Sequence, residues 1–308
     1  MPPTLIITCG PTASGKSSLP EKVQNLLNIQ GGNFESFLID DLVEQNPYYK
    51  KKVIEYIENE RQKNGKTKER IVEMFLNPTQ QMIQDFNYYY AEARKTTNCE
   101  TGADLRFDWG KSCDILNDLN LTQAFNSGKN IAFESRGVTW PQWFFDLFQC
   151  QLKQHKYTII VAWTVVDMCE LLKRNKTRAE TSVSTFLDNP QENTPPRLPD
   201  IRPDAYQVDL QKIIDTFKTQ VKRQSSCRKD CIRLLVFDNN TRNSVLLYDN
   251  QGEVTEKKTK DAAIAAIKKY NVKRRCVGGR HITKRNKRLK KKGTKNKRKT
   301  KKNNKKRK

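Results

Sequence analysis

The stretch from residue 4 to 18, "TLIITCGPTASGKSS", decides the fold. Its first six residues are apolar enough for a strand covered on both faces. The residues that follow, Gly10-x-x-x-x-Gly15-Lys16-Ser17, match a phosphate-binding loop, and "KSSLPEKVQNLLNIQ" then continues as a helix-compatible segment. Each residue type has a physical purpose. Glycines let the backbone curl so that its N–H groups face a phosphate, and the helix start adds positive potential. Lys16 is placed to reach β- and γ-phosphates, and the Ser17 hydroxyl to ligate Mg²⁺. The expected nucleotide contacts are therefore Gly10, Pro11, Thr12, Ala13, Ser14, Gly15, Lys16, Ser17 and Ser18. A glycine turn without a ligand is the plain alternative.

Outward from this loop, short apolar runs alternate with longer polar–apolar segments, the pattern of β-α units feeding a parallel sheet. Strands are expected at 4–9, 36–40, 130–135, 157–165 and 232–238. Helices are expected from Gly15, across most of 46–126, near 140–154, at 167–178 and at 204–224. Pro20 falls in the first turns of its helix, where it is tolerated or gives a local kink. Residues 179–203 hold five prolines and read as a long surface loop or lid. The expected fold is α/β: a P-loop NTPase with a parallel sheet of about five strands flanked by helices.

The formal net charge of +24 suggests a polyanion partner until its location is considered. Residues 273–308 contain 21 Lys or Arg and no Asp or Glu, which leaves 37 basic against 34 acidic residues in 1–272. The expected organisation is thus a near-neutral catalytic body, 1–272, and a disordered basic tail, 273–308, too polar and self-repelling to fold alone. The tail fits non-specific nucleic-acid contact, a nuclear-import signal or a solubilising extension. Eight scattered cysteines and the lack of a secretory signal pattern predict an intracellular protein, cytoplasmic or nuclear, with reduced thiols. The longest apolar run, near 158–166, is far below the ~20 residues of a membrane span. Cys227 and Cys231 have no second pair nearby, which argues against zinc. The aromatic runs at 87–90 and 140–145 read as core packing before base stacking.

Three further stretches carry chemistry. "FLIDDLVEQNPYY" puts Asp40 and Asp41 where an open α/β sheet binds ligands; each is a proton acceptor for a hydroxyl or a helix N-cap. "NIAFESRG" ends a strand in Glu134 and Arg136, which bind substrate or metal water and a phosphate, or else pair with each other. "ELLKRNKTR" places Arg174 and Arg178 four apart on one helix face, as a pair aimed at a γ-phosphate or as a solvated basic face.

Together these motifs resemble the zeta-toxin family of P-loop kinases. "GPTASGKS" stands for the family's loop, "LIDDLVEQNP" for its I-D-x-D strand end and following His-Pro, and "AFESRG" for its third strand end. "VFDNNTRNSVLLYDNQGEV" is similar to the family's closing strand and hairpin, so the likeness spans most of 1–256. The resemblance implies Asp40 as general base, Lys16 and Ser17 on ATP and Mg²⁺, and Glu134 in the substrate site. It implies Arg174 as one phosphate-directed arginine and Arg178 or Arg197 as the second. Asn46 stands where the family has histidine, Ser135-Arg136 replace its Gly-Thr, and 55–125 is long for the family, departures that touch the acceptor pocket. The basic tail also resembles tails of giant DNA virus proteins, which would make a virion-associated protein.

The expected function is ATP- and Mg²⁺-dependent transfer of a γ-phosphate to a hydroxyl of a small molecule, a nucleotide sugar being the family's substrate. The alternatives are a polynucleotide 5′-hydroxyl kinase and a nucleic-acid-binding protein built on a degenerate kinase scaffold.

Overall fold

The computed structural model describes residues 2–29, 33–135, 157–198, 210–221, 232–241 and 244–251. Arg136, the expected helix at 140–154, the aromatic run at 140–145 and the tail lie outside these residues. All six residues of β1 (Thr4–Cys9) are buried. A 3-10 turn, Lys16–Ser18, leads from the loop into α1 (Leu19–Leu26). Pro20 occupies the first turn of α1, where its missing N–H has no intrahelical acceptor to lose.

β2 (Glu35–Phe37) is shorter than expected, and α2 (Ile39–Gln45) begins at once, so Asp40 and Asp41 sit in the first turn of a helix. Neither is its N-cap, which is Leu38. The expected helical stretch from 46 to 126 divides into α3 (Pro47–Gln62), α4 (Lys68–Leu76), α5 (Gln80–Lys95) and α6 (Cys113–Asn126). Each start is fixed by a side-chain oxygen accepting from a first-turn N–H, in order Asn46, Thr67, Thr79 and Ser112.

β3 (Ile131–Ser135) and β4 (Thr158–Val165) follow, then α7 (Met168–Asp188), α8 (Leu210–Thr216) with a π-helical continuation to Val221, β5 (Ile232–Asp238) and β6 (Val245–Asp249). The sheet order is β2-β3-β1-β4-β5-β6, with β2 to β5 parallel and β6 antiparallel on β5. The parallel sheet flanked by helices is as the alternation implied, with one strand more.

Two apolar layers cover the sheet. One packs Phe125 of α6 and Ile213 and Ile214 of α8 on the odd-numbered side of β1; the other packs Leu19 and Val23 of α1 against Ile6. A separate core joins α2 to α6 with Val183, Phe186 and Leu187 of α7. The expectation of a loop from 179 onward is therefore wrong for 179–188, which complete α7: Ala179, Val183, Phe186 and Leu187 bury one helical stripe. No described helix is long and apolar enough to cross a membrane.

Reduced thiols do not hold throughout. Cys99 and Cys113 form a disulfide that closes the connection from α5 to α6, and Cys169 is also disulfide-bonded. Cys9 is free and buried.

Candidate active site

The phosphate-binding stretch leaves β1 through Gly10 at φ +147° and enters the 3-10 turn through Gly15 at φ +82°. Both positions exclude a side chain for steric reasons as well: a Cβ would come 2.1 Å from Thr164 Oγ1 at Gly10 and 2.2 Å from Asn239 Nδ2 at Gly15. The close approach is purposeful, because those two residues hold the loop. Thr164 of β4 lies 2.6 Å from Ser14 Oγ and donates to the Cys9 carbonyl, and Asn239, just after β5, donates to the Ser14 carbonyl. Ser14 and Thr164 are fully buried, so these bonds are shielded from water.

Lys16 is 7 % exposed. Its Nζ donates to the Pro11 carbonyl at 3.0 Å and sits 3.2 Å from Glu134 Oε1. Parallel register explains the second contact, since Thr8 of β1 is level with Glu134 of β3 at the carboxyl edge of the sheet. Ser17 is exposed beside Lys16. Burial pushes the Cys9 thiol far up, and the opposed charges of Lys16 and Glu134 change this little, so Cys9 is not a nucleophile here. A curled loop with left-handed positions, one buried lysine and an outward hydroxyl fits the triphosphate and Mg²⁺ of a nucleotide.

The second group of charged residues is carried by α2. Asp40 accepts from the Tyr90 hydroxyl of α5 on Oδ1 and pairs with Arg197 through Oδ2 at 2.6 Å. Arg197 also pairs with Glu44, one turn further along α2. Burial raises the Asp40 carboxyl, but the Arg197 charge, the bonds from Tyr90 and Arg197, and least of all the Lys16 charge together outweigh it and leave Asp40 below its ordinary value. Glu44 goes the other way: its desolvation exceeds what Arg197 returns. Burial and the Asp40 charge push the Tyr90 phenol up, which keeps it a donor.

Arg197 arrives on an ordered strap. After α7, Asn193 donates to the Thr185 and Asn189 carbonyls, and Tyr49 of α3 donates to the Pro196 carbonyl at 3.4 Å. Residues 189–198 thereby run back across α3 to α2. Arg174 is directed elsewhere, to Glu170 on its own helix and to the Asn240 carbonyl beside the residue that braces the loop. Arg178 has no hydrogen bond or ion pair among the described residues.

Of the expected residues, Lys16 and Glu134 form an ion pair, and Asp40 is held by Arg197 and Tyr90. Asp41 makes no side-chain contact of this kind among the described residues. Asn46 does not face an acceptor pocket. It is fully buried, caps α3 through Tyr48 N, and presents Nδ2 to the Ala93 and Asn98 carbonyls. Sequence reading missed Glu44, Tyr90, Thr164 and Asn239. Glu44 carried a signal, since it lies four after Asp40 on the same helix face. Tyr90 carried none, being one of three consecutive tyrosines.

No family model matches the sequence, and no curated protein matches it. Among solved structures the chain is similar to one from the PezAT chromosomal toxin–antitoxin system of the human pathogen Streptococcus pneumoniae. The identity is 15% over 88% of this chain and 87% of that one, with a TM-score of 0.43. It is also similar to a candidate kinase from Chloroflexus aurantiacus, at 14% identity over 72% of this chain and 98% of that one, with a TM-score of 0.31. At these identities and scores the α/β assignment rests on the strand order and the loop geometry.

Proposed function

We propose that the protein is an ATP-dependent phosphotransferase that moves a γ-phosphate to a hydroxyl of a small-molecule acceptor, a nucleotide sugar being compatible with the same chemistry. The observation that carries this reading is the buried Lys16 paired with Glu134 at the carboxyl edge of the sheet, within a braced phosphate-binding loop, with Asp40 held in the first turn of the helix that follows β2. Gly10 to Ser18 would hold the nucleotide and the Ser17 hydroxyl the metal; the bound nucleotide supplies the phosphoryl group and Mg²⁺ spreads its charge.

The chain's own residues then divide the work. Asp40 is ionised at neutral pH, and its two oxygens have more acceptor sites than Tyr90 and Arg197 occupy. It can therefore accept the acceptor's O–H and orient that oxygen for in-line attack. A carboxylate held below its usual range orients strongly and takes the proton late, which suits a loose phosphoryl-transfer transition state. Lys16 neutralises charge on the transferring group, and Glu134 fixes Lys16 and offers a second acceptor for substrate hydroxyls. Arg197, with Arg174 beside the loop, is the preferred arginine pair. In this reading catalysis resides in 1–272 of an intracellular protein, and the tail acts in localisation.

Incubating full-length protein with γ-labelled ATP, Mg²⁺ and a metabolite extract tests the reading. An acceptor that gains label with the wild type and not with Lys16→Ala supports it. No labelled product, together with unchanged ATP affinity in Lys16→Ala, refutes it.

A further inference from the structure

Helix α7 has two functional faces. One buries Leu171, Asn175, Ala179, Val183, Phe186 and Leu187. The adjacent face, formed by Lys173, Arg174, Thr177, Arg178, Thr181 and Ser182, lines a pocket of about 510 Å³. Lys173, Thr177, Arg178 and Thr181 are exposed on this face, over a floor formed largely by the aliphatic parts of the lining side chains, so charged and hydroxyl ends are presented outward, where they can meet anionic oxygen.

The cations are not equivalent. Arg174 is committed to Glu170 and the Asn240 carbonyl. Lys173 and Arg178 have no hydrogen bond or ion pair among the described residues, and the carboxylate that Arg178 senses, Glu44, is already paired with Arg197. Two charges are therefore left without an ion pair, about 7.5 Å apart along the helix axis. From Lys173 to Thr181 the face runs roughly 12 Å along the helix axis. That length suits separate phosphates better than one. Neighbouring phosphates of a nucleic-acid strand are separated by a whole sugar, whereas those of a pyrophosphate share one oxygen. Lys, Arg, Thr and Ser side chains are also the usual partners of backbone phosphates, which they hold without reading sequence.

We propose that this face of α7 binds the phosphodiester backbone of a nucleic acid, with Lys173 and Arg178 each on a phosphate and the Thr177, Thr181 and Ser182 hydroxyls between them. The same chain carries 21 Lys or Arg in residues 273–308, so salt-dependent polyanion affinity has a second source in this sequence, which the test must separate from the α7 face. Arg178 is thereby assigned to retention of a polyanion and not to the transferring phosphate. The proposal does not depend on the kinase reading.

The test is fluorescence anisotropy of full-length protein with a short labelled single-stranded DNA, from about 50 to 200 mM salt. The double variant Lys173→Ala/Arg178→Ala is expected to weaken binding at the low-salt end about tenfold. It should also flatten the slope of log affinity against log salt by about 1.4, the share of two single-strand phosphate contacts. Thr177→Val/Thr181→Val should weaken binding about threefold, as for one or two modest hydrogen bonds. Lys173→Arg/Arg178→Lys should retain both affinity and slope, which separates charge from folding, and urea midpoints check that each variant is folded. Lys16→Ala should bind the strand as the wild type does, so a failed kinase reading leaves this result intact. Unchanged affinity and slope in the alanine variant would assign the strand to the tail alone and overturn the proposal. So would absence of binding by the wild type at low salt, or binding of pyrophosphate without binding of DNA.

Discussion

The two sides of the candidate cleft are held by different physics. The phosphate-binding loop is fixed by buried, mostly neutral hydrogen bonds from Thr164 and Asn239, and by two glycine positions with no room for a side chain. Asp40 opposite is fixed by charge and by long-range assembly: Tyr90 comes from α5 and Arg197 from the strap after α7. The donor side is thus set by one short stretch and its immediate floor, and it should resist changes of pH and salt. The acceptor side depends on three segments meeting, and its energetics should respond to both.

The most severe break of the donor side is Lys16→Ala. It removes the buried charge next to Glu134 and should lower transfer about 10²- to 10³-fold, with a clear loss of ATP affinity by calorimetry. Asp40→Asn should separate the two sides. Transfer should fall on the order of 10²-fold while ATP affinity changes little, because the loop does not depend on Asp40. The same substitution leaves Arg197 with only Glu44, at a cost of about 1 kcal/mol, modest because the Asp40 side chain is 44 % exposed. Adding Arg197→Met would strip Glu44 of its cation and lower the urea midpoint further, whereas adding Arg197→Met with Glu44→Gln should recover part of the lost stability without restoring transfer.

This asymmetry also explains what was legible in the sequence. β1, the loop and the start of α1 are local features, and spacing alone identified them. The α3 to α6 boundaries were legible in principle, since Thr67, Thr79 and Ser112 each cap the next helix. Residues 179–188 were misread because the prolines of 179–203 colour the whole stretch, although the first is Pro190. The Ser/Thr content hid a helical stripe that Ala179, Val183, Phe186 and Leu187 complete. Glu134 and Asp40 were found as carboxylates at strand ends, but the partners of Asp40 lie 50 and 157 residues away, beyond any periodicity. Asn46 was misassigned because a buried cap and a site residue look alike when only the side-chain type is known.

The Cys99–Cys113 bond offers a smaller break on the acceptor side. Its sulfurs pack 3.9 and 3.8 Å from the Leu42 carbonyl of α2, so the cross-linked α5–α6 connection lies against the helix that bears Asp40. A loop of 14 residues predicts a loss of about 3 kcal/mol on Cys99→Ser. The urea midpoint should fall by the corresponding amount, and reduction of the wild type, which also opens the Cys169 bond, should lower it at least as far. ATP affinity of the folded variant should be unchanged if the two sides are as independent as their contacts suggest.

The smallest expected effect is the pH response of α2, where two carboxylates on one arginine act with opposite sign. Asp40 has a lowered pKa in the folded protein, so its contribution is present above the ordinary carboxylate value and is lost as pH falls through the folded one. Glu44 has a raised pKa, so its ionised form is a cost at neutral pH, relieved as pH falls from above its folded value to the ordinary one. On acidification the first change should therefore be a slight gain from Glu44, followed by a loss from Asp40 below the ordinary range. Both should stay under about 1 kcal/mol because solvent screens the exposed part of the cluster. In denaturant titrations across this acid range, Glu44→Gln should abolish the early gain and Asp40→Asn the later loss. Lys16→Ala should preserve that two-phase shape, since Lys16 is the weaker of the two cations acting on Asp40.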